Sequence, residues 1–220
     1  MTDSHTYRLS PEPDDPDVPP PEGPDHEEPG DNKTLAAPVN ELESRLFSQR
    51  KVLVFGPIDD KVARDATGRL LALAGRSDKP IEVYVNSPGG HVESGDTIHD
   101  MIRFIGAQVP ISVIGTGWVA SAGALIFLAG RKDRRFCLPN TRFLLHQPMG
   151  GVRGPAVDID IEAREIIKMR ERINRIIARE TGQTYEKVAK DTDRNYWMSA
   201  EEAIAYGMVA RVIESAAEIG

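Results

Sequence analysis

Gly117-Trp118-Val119-Ala120-Ser121-Ala122-Gly123-Ala124 lies between two apolar runs, Ile111 to Ile114, which reads as a strand, and Ala124 to Ala129, which reads as a helix. A serine where a buried strand turns into a helix has its hydroxyl held on a corner. The amides that follow it are free, because the first N–H groups of a helix have no internal partner. Ser121 is therefore a candidate nucleophile, and an oxyanion formed beside it would meet backbone dipoles already in place. An isolated Ala-Ser-Ala-Gly is more often a small-residue turn that serves close packing; the surroundings of Ser121 decide between the two.

Upstream, Lys51 to Phe55 reads as a buried strand stopped by Gly56-Pro57, with a short helix before it from Val39 or Asn40 to Gln49. Asp59 or Asp60 caps a helix in which Val62, Ala66, Leu70, Leu71 and Leu73 recur at helical spacing before Gly75. Ile81 to Val85 is a second strand, Asn86-Ser87-Pro88-Gly89-Gly90 turns out of it, and a helix from about Ser94 to Ile105 leads to the strand at Ile111. This alternation predicts parallel strands joined by right-handed crossovers, an α/β fold.

Downstream, Arg135 to Leu138 and Arg142 to Leu145 flank Pro139-Asn140 as a strand pair or a strand-turn-strand, with His146 at the end of the second. The longest helix, Asp158 to about Arg179, carries Ile159, Ala163, Ile166, Ile167, Ile173, Ile176 and Ile177 on one stripe and is closed by Gly182. Such a stripe is usually core, yet a helix this long also suits projection toward a partner. Thr184 to Lys190 reads as a short helix. Ser199-Ala200-Glu201-Glu202 is a capping box opening a helix to Tyr206, Gly207 stops it, and Met208 to Ile213 is a last strand.

The net charge of −7 is unevenly distributed. Residues 1–31 hold ten acids against Arg8 alone, which leaves about +2 for the rest, so no basic face for nucleic acid is expected. Residues 1–34 are acidic and proline-rich and are expected to be disordered, leaving one domain over 35–220. The N-terminus lacks the features of a secretory or transit peptide, so a cytoplasmic location is the default. One cysteine, Cys137, excludes an internal disulfide and a cysteine metal cluster, and reads as buried filler. Ile111 to Gly130 is uncharged and precedes a basic cluster, imitating a membrane span; Pro110, Gly115 and Gly117 instead divide it into strand, turn and helix.

His146, in Leu145-His146-Gln147-Pro148, is the candidate base for Ser121. Gly89-Gly90, just past a strand's carboxyl end, can turn an amide inward, and with the amide of Ala122 it can form an oxyanion hole. All these features fall at strand carboxyl ends, where parallel sheets place their active crevices. His91, directly after Gly90, stands second to His146. His99, His5 and His26 read as structural or exposed.

Six segments carry a family resemblance, in order: Asn86 to Gly90, Ala120 to Ala124, Arg135 to Asn140, His146 to Gly151, Ala163 to Ile166 and Ser199 to Gly207. Over about Ser44 to Glu214 the chain resembles the Clp protease proteolytic subunits, serine endopeptidases of the Clp/crotonase superfamily. The resemblance implies a Clp/crotonase-like spiral of βαβ units with a projecting long helix. It also implies Ser121 as nucleophile, His146 as general base, and Gly90 and Ala122 as oxyanion donors. Seven-subunit rings stacked as a tetradecamer are expected, with the long helix between rings and an AAA+ Clp ATPase unfoldase feeding unfolded polypeptide to an enclosed chamber. The chain has no Gly-x-x-x-x-Gly-Lys-Ser/Thr loop, so no cofactor is expected in it and ATP would be the partner's.

Two departures matter. The position of the triad acid reads Asn195, which can orient an imidazole without compensating its charge; Asp191 or Asp193 would stand in only if the loop shifts. The N-terminus lacks the usual apolar pore segment, which leaves open whether the tail plugs the pore, is processed away, or only aids solubility. Weak intrinsic activity follows from the first departure. The rival readings are a nearly silent structural subunit of mixed rings with a second Clp proteolytic subunit, a crotonase-like acyl-CoA enzyme, and a membrane-anchored signal-peptide peptidase.

Overall fold

The computed structural model describes residues 33–219, and the side chains of 41–219. The acidic tail, with its expected disorder, lies outside the described residues. Helix α1 (Lys33–Ser48) begins ahead of Pro38, earlier than the sequence suggests. Strand β1 (Lys51–Phe55) follows, then α2 (Asp60–Arg76), capped by Asp59, whose carboxylate accepts the Val62 N–H. The Arg50 guanidinium closes the far end of α2 by donating to the carbonyls of Leu73 and Ser77.

Next come β2 (Ile81–Ser87), α3 (Val92–Gly106), β3 (Ile111–Ala120) and α4 (Ala122–Leu128). β1, β2 and β3 are parallel neighbours, as the strand-helix alternation requires. Their inward side chains, among them Val52, Val54, Val83, Val85 and Val113, are wholly buried under α2, α3 and α4.

The glycines in β3 do not end it. Gly115 leaves room for Phe127 and Phe143, and a Cβ there would press on both at 3.4 Å. Gly117, at φ +62°, accommodates a bulge at which the register with β2 shifts between Val85 and Ser87. The Asn86 side chain fills that bulge and accepts the Trp118 N–H at 3.4 Å. The bent strand serves two partners: Val113 to Gly115 pair with β4 (Arg135–Cys137), and Trp118 to Ala120 pair with β5 (Arg142–Leu145). β4 and β5 therefore do not pair with each other; both lie parallel to β3. The run from Ile111 to Gly130 is a strand and a short helix, and no helix among the described residues is long and apolar enough to cross a membrane.

α5 (Ala156–Thr181) ends at Gly182, which has φ +81°. Only its last turns enter the core, at Asn174, Ile177 and Thr181; Val157, Ile159, Ile161 and Ile167 are exposed, so the stripe mostly projects. Arg135, wholly buried on β4, donates to the carbonyl of Glu180 and ties down the end of this helix. Thr184 caps α6 (Tyr185–Asp191). A strand absent from the sequence reading, β6 (Tyr196–Met198), runs antiparallel to β5. α7 (Ala200–Tyr206) has the expected capping box and Gly207 terminus. The last strand shrinks to β7 (Arg211–Val212), because Met208 and Val209 sink into the core. Cys137 is buried, and burial pushes its thiol up to about 12, consistent with filler.

Candidate active site

Ser121 caps α4 with φ 54° and ψ −122°, a conformation that non-glycine residues hold only where the surroundings impose it. Two features impose it here. Its N–H donates to the Leu144 carbonyl at 2.9 Å, and its own carbonyl accepts the N–H groups of Ala124 and Leu125. Gly89 presses against it: a Cβ on Gly89 would lie 2.5 Å from Ser121 Cβ and 3.1 Å from the Ala122 nitrogen. Glycine at 89 is what allows this approach.

The turn is pinned on all sides. The Gly89 N–H donates to Ser87 Oγ at 3.0 Å, Gly89 O accepts the Ile58 N–H at 2.9 Å, and the His91 N–H donates to Ile58 O at 2.9 Å. Gly90, at φ +150°, faces the Ile58 backbone with no space for a side chain. Among the described residues no hydrogen bond uses the N–H of Gly90 or of Ala122. Because a Cβ on Gly89 would meet the Ala122 nitrogen, the Gly89-Gly90 turn runs alongside the start of α4, with these two free donors on neighbouring segments.

Ser121 and His146 line the same narrow cavity, which has about 20 Å³ open to water-sized molecules; its walls are Val92, Leu125, Leu145, Pro148, Ile173 and Ile177. The structure thus brings the two together across one cavity without a hydrogen bond between them. Catalytic hydrogen bonds often tighten only once substrate is bound. Burial holds the His146 imidazole below its usual range, and the neighbouring Asn195 side chain, as an acceptor for the ring N–H, acts in the opposite direction.

Asn195 reaches His146 through β6. Pairing of Leu145 with Tyr196 sets the next residues, His146 and Asn195, beside each other, and both line a second cavity of ≈ 420 Å³. Gln147 secures the loop, its N–H donating to Thr192 O and its Nε2 to Asp193 O. Asp191 is occupied by Lys187 and Tyr206, and Asp193 by Arg170. Asn195 remains the polar neighbour of the imidazole. His91 does not line the Ser121 cavity; its ring turns to Ser94 and Glu93. His99 is buried and bonded to Leu125 O, a structural histidine as its place in a helix suggests. The cavity walls were invisible as a set in the sequence, because they come from α3, α4, α5 and β5 and the loop after it; only Ile173 and Ile177 belonged to a recognisable stripe.

A serine on a strand-helix corner, sharing a cavity with histidine and flanked by two free amides, defines a serine hydrolase built on a parallel α/β frame. The sequence model of the Clp protease family matches residues 36–216. The chain belongs to the Clp protease family and is a serine-type peptidase. It is 77% identical over 206 residues to the ATP-dependent Clp protease proteolytic subunit 2 of Gluconobacter oxydans (strain 621H), with 94% of this chain and 91% of that one covered. It is 58% identical to the proteolytic subunit 3 of Rhizobium etli, with 88% of this chain and all of that one covered. Among solved structures, ClpP1 from Listeria monocytogenes superposes with a TM-score of 0.73 at 51% identity, covering 81% of this chain and 99% of that one. An asparagine-to-aspartate mutant of the same ClpP1 superposes with a TM-score of 0.75 at the same identity and coverage.

Proposed function

We propose that Ser121 Oγ attacks the scissile carbonyl while the His146 imidazole takes its proton, with the amides of Gly90 and Ala122 receiving the oxyanion and Asn195 orienting the ring. The imidazolium then gives its proton to the leaving amine as the C–N bond breaks. Water, deprotonated by the same imidazole, releases the acyl group from Ser121. The observation that carries this reading is the cavity shared by Ser121 and His146 beside two unpaired amides.

The chain is an ATP-dependent Clp protease proteolytic subunit, working with a Clp ATPase in oligomeric rings. Seven-subunit rings stacked as a tetradecamer in the cytoplasm are the finer reading, with the exposed half of α5 between rings. The chain takes no cofactor of its own, and ATP is hydrolysed by the partner unfoldase. The apolar wall of the cavity favours an apolar side chain next to the scissile bond of an unfolded polypeptide.

Asn195 supports a second reading, a catalytically weak subunit that completes mixed rings with an active relative. A fluorophosphonate probe separates the two: labelling of the lone chain at Ser121 favours the enzyme, and labelling only with a second subunit present favours the mixed ring. Acyl-CoA thioester turnover that survives Ser121→Ala would revive the crotonase-like alternative.

A further inference from the structure

His91, Ser94 and Asp60 form a chain of side-chain hydrogen bonds behind the Gly89-Gly90 turn. Ser94 Oγ, on the first turn of α3 and 3% exposed as a residue, donates its one proton to Asp60 Oδ1 at 2.6 Å. It therefore accepts from His91 Nδ1 at 2.8 Å, and His91 Nε2 lies 3.1 Å from Glu93 Oε2. Asp60 opens α2, two residues past Ile58, whose backbone already holds Gly89 O and the His91 N–H at 2.9 Å each. The turn is thus gripped twice from the same segment, by the main chain of Ile58 and by the side chain of Asp60. Between the two grips stands Gly90, with its N–H unpaired.

We propose that Asp60, Ser94 and His91 are positioning residues that hold the Gly90 amide on target for the oxyanion. The proposal rests on Gly90 being an oxyanion donor in the mechanism above. None of the three touches the reacting atoms. A hydrogen-bond donor acts on a developing charge only when its direction is fixed beforehand, and small misplacements cost large factors in rate. The side chains fix the direction by locking the backbone at His91, the residue next to the donor.

Labelling kinetics of the assembled full-length chain with a fluorophosphonate test this. Formation of the tetrahedral phosphonyl adduct draws on the oxyanion donors, whereas initial binding does not. Asp60→Ala and Ser94→Ala are expected to lower the limiting labelling rate by about tenfold, with the half-saturating probe concentration within about twofold of the unsubstituted chain. Asp60→Asn keeps an acceptor oxygen and is expected to retain most of the rate. The Asp60 side chain is 91% exposed, so its removal costs no packing and the variant folds. Unchanged rates in Asp60→Ala, or a loss confined to probe binding, would overturn the proposal. Failure of the unsubstituted chain to label at Ser121, both alone and with a second proteolytic subunit present, would overturn the nucleophile assignment, and this proposal with it.

Discussion

An imidazole that gains a proton during attack needs a negative neighbour, and His146 has an amide. In the proposed mechanism Asn195, set beside the ring by the β5–β6 pairing, orients the imidazole but brings no charge to balance it. Asn195→Asp is therefore expected to raise peptide hydrolysis, by up to about 10⁴ if the penalty matches that of an asparagine in a chymotrypsin-type triad. Turnover of a fluorogenic peptide checks this, and no gain in a folded variant would place the compensating charge elsewhere. The pH dependence has a definite sign. Because burial lowers the His146 pKa, the free base persists into acid, and the acid limb of kcat/KM is expected below about 6.5. A limb above that value would show the ring stabilised in its charged form. Gly90→Ala is expected to abolish activity, since its Cβ would run into the Ile58 carbonyl at a φ that alanine avoids.

Among the elements, the termini were the most legible in sequence. Asp59 at α2, Gly182 after α5, and Ser199 with Gly207 around α7 each act through local hydrogen bonds that the sequence spells out. The path of β3 was not legible, because glycine signals a break unless something distant needs the space, and here Phe127 and Phe143 do. β6 escaped because three residues carry no periodicity, and its partner β5 is far away in sequence. The site followed the same division. Ser121, Gly90 and Ala122 lie in local motifs and Asn195 was reached only through the family resemblance, whereas its pairing beside His146 and the cavity walls depend on tertiary structure.

Gly207→Ala is expected to cost more than about 1 kcal/mol in denaturant unfolding, because φ is +91° and the Thr181 carbonyl occupies the Cβ position. His99, packed between α3 and α4, is held below its usual pKa range by burial, against the pull of the Leu125 carbonyl. The unfolded chain takes up the proton first, so this contribution is complete above about pH 6.5 and is lost as the pH falls. Melting temperature should decline across about pH 7 to 5, and less steeply in His99→Gln.

At the scale of the molecule, two of the apolar surfaces left open among the described residues lie on single elements. One is the outer face of the sheet, where Leu53 and Phe55 are 39% and 47% exposed; the other is the free half of α5. Surfaces of this kind mark association sites. If two seven-subunit rings stack through this helix, as proposed, paired Ile161→Glu and Ile167→Glu substitutions are expected to halve the particle mass in light scattering. An unchanged mass would remove α5 from the contact between rings.

The long helix has one end in solvent and the other in the wall of the cavity that Ser121 and His146 share. Ile173 and Ile177 border the space beside Ser121, the Arg135 guanidinium clamps Glu180 just beyond them, and Val157 to Ile167 extend outward. A rod fastened at its base transmits a push at the tip as a tilt at the fulcrum. If rings dock through that tip, as proposed, their docking would widen or narrow the cavity beside Ser121, making assembly itself a setting of the blade.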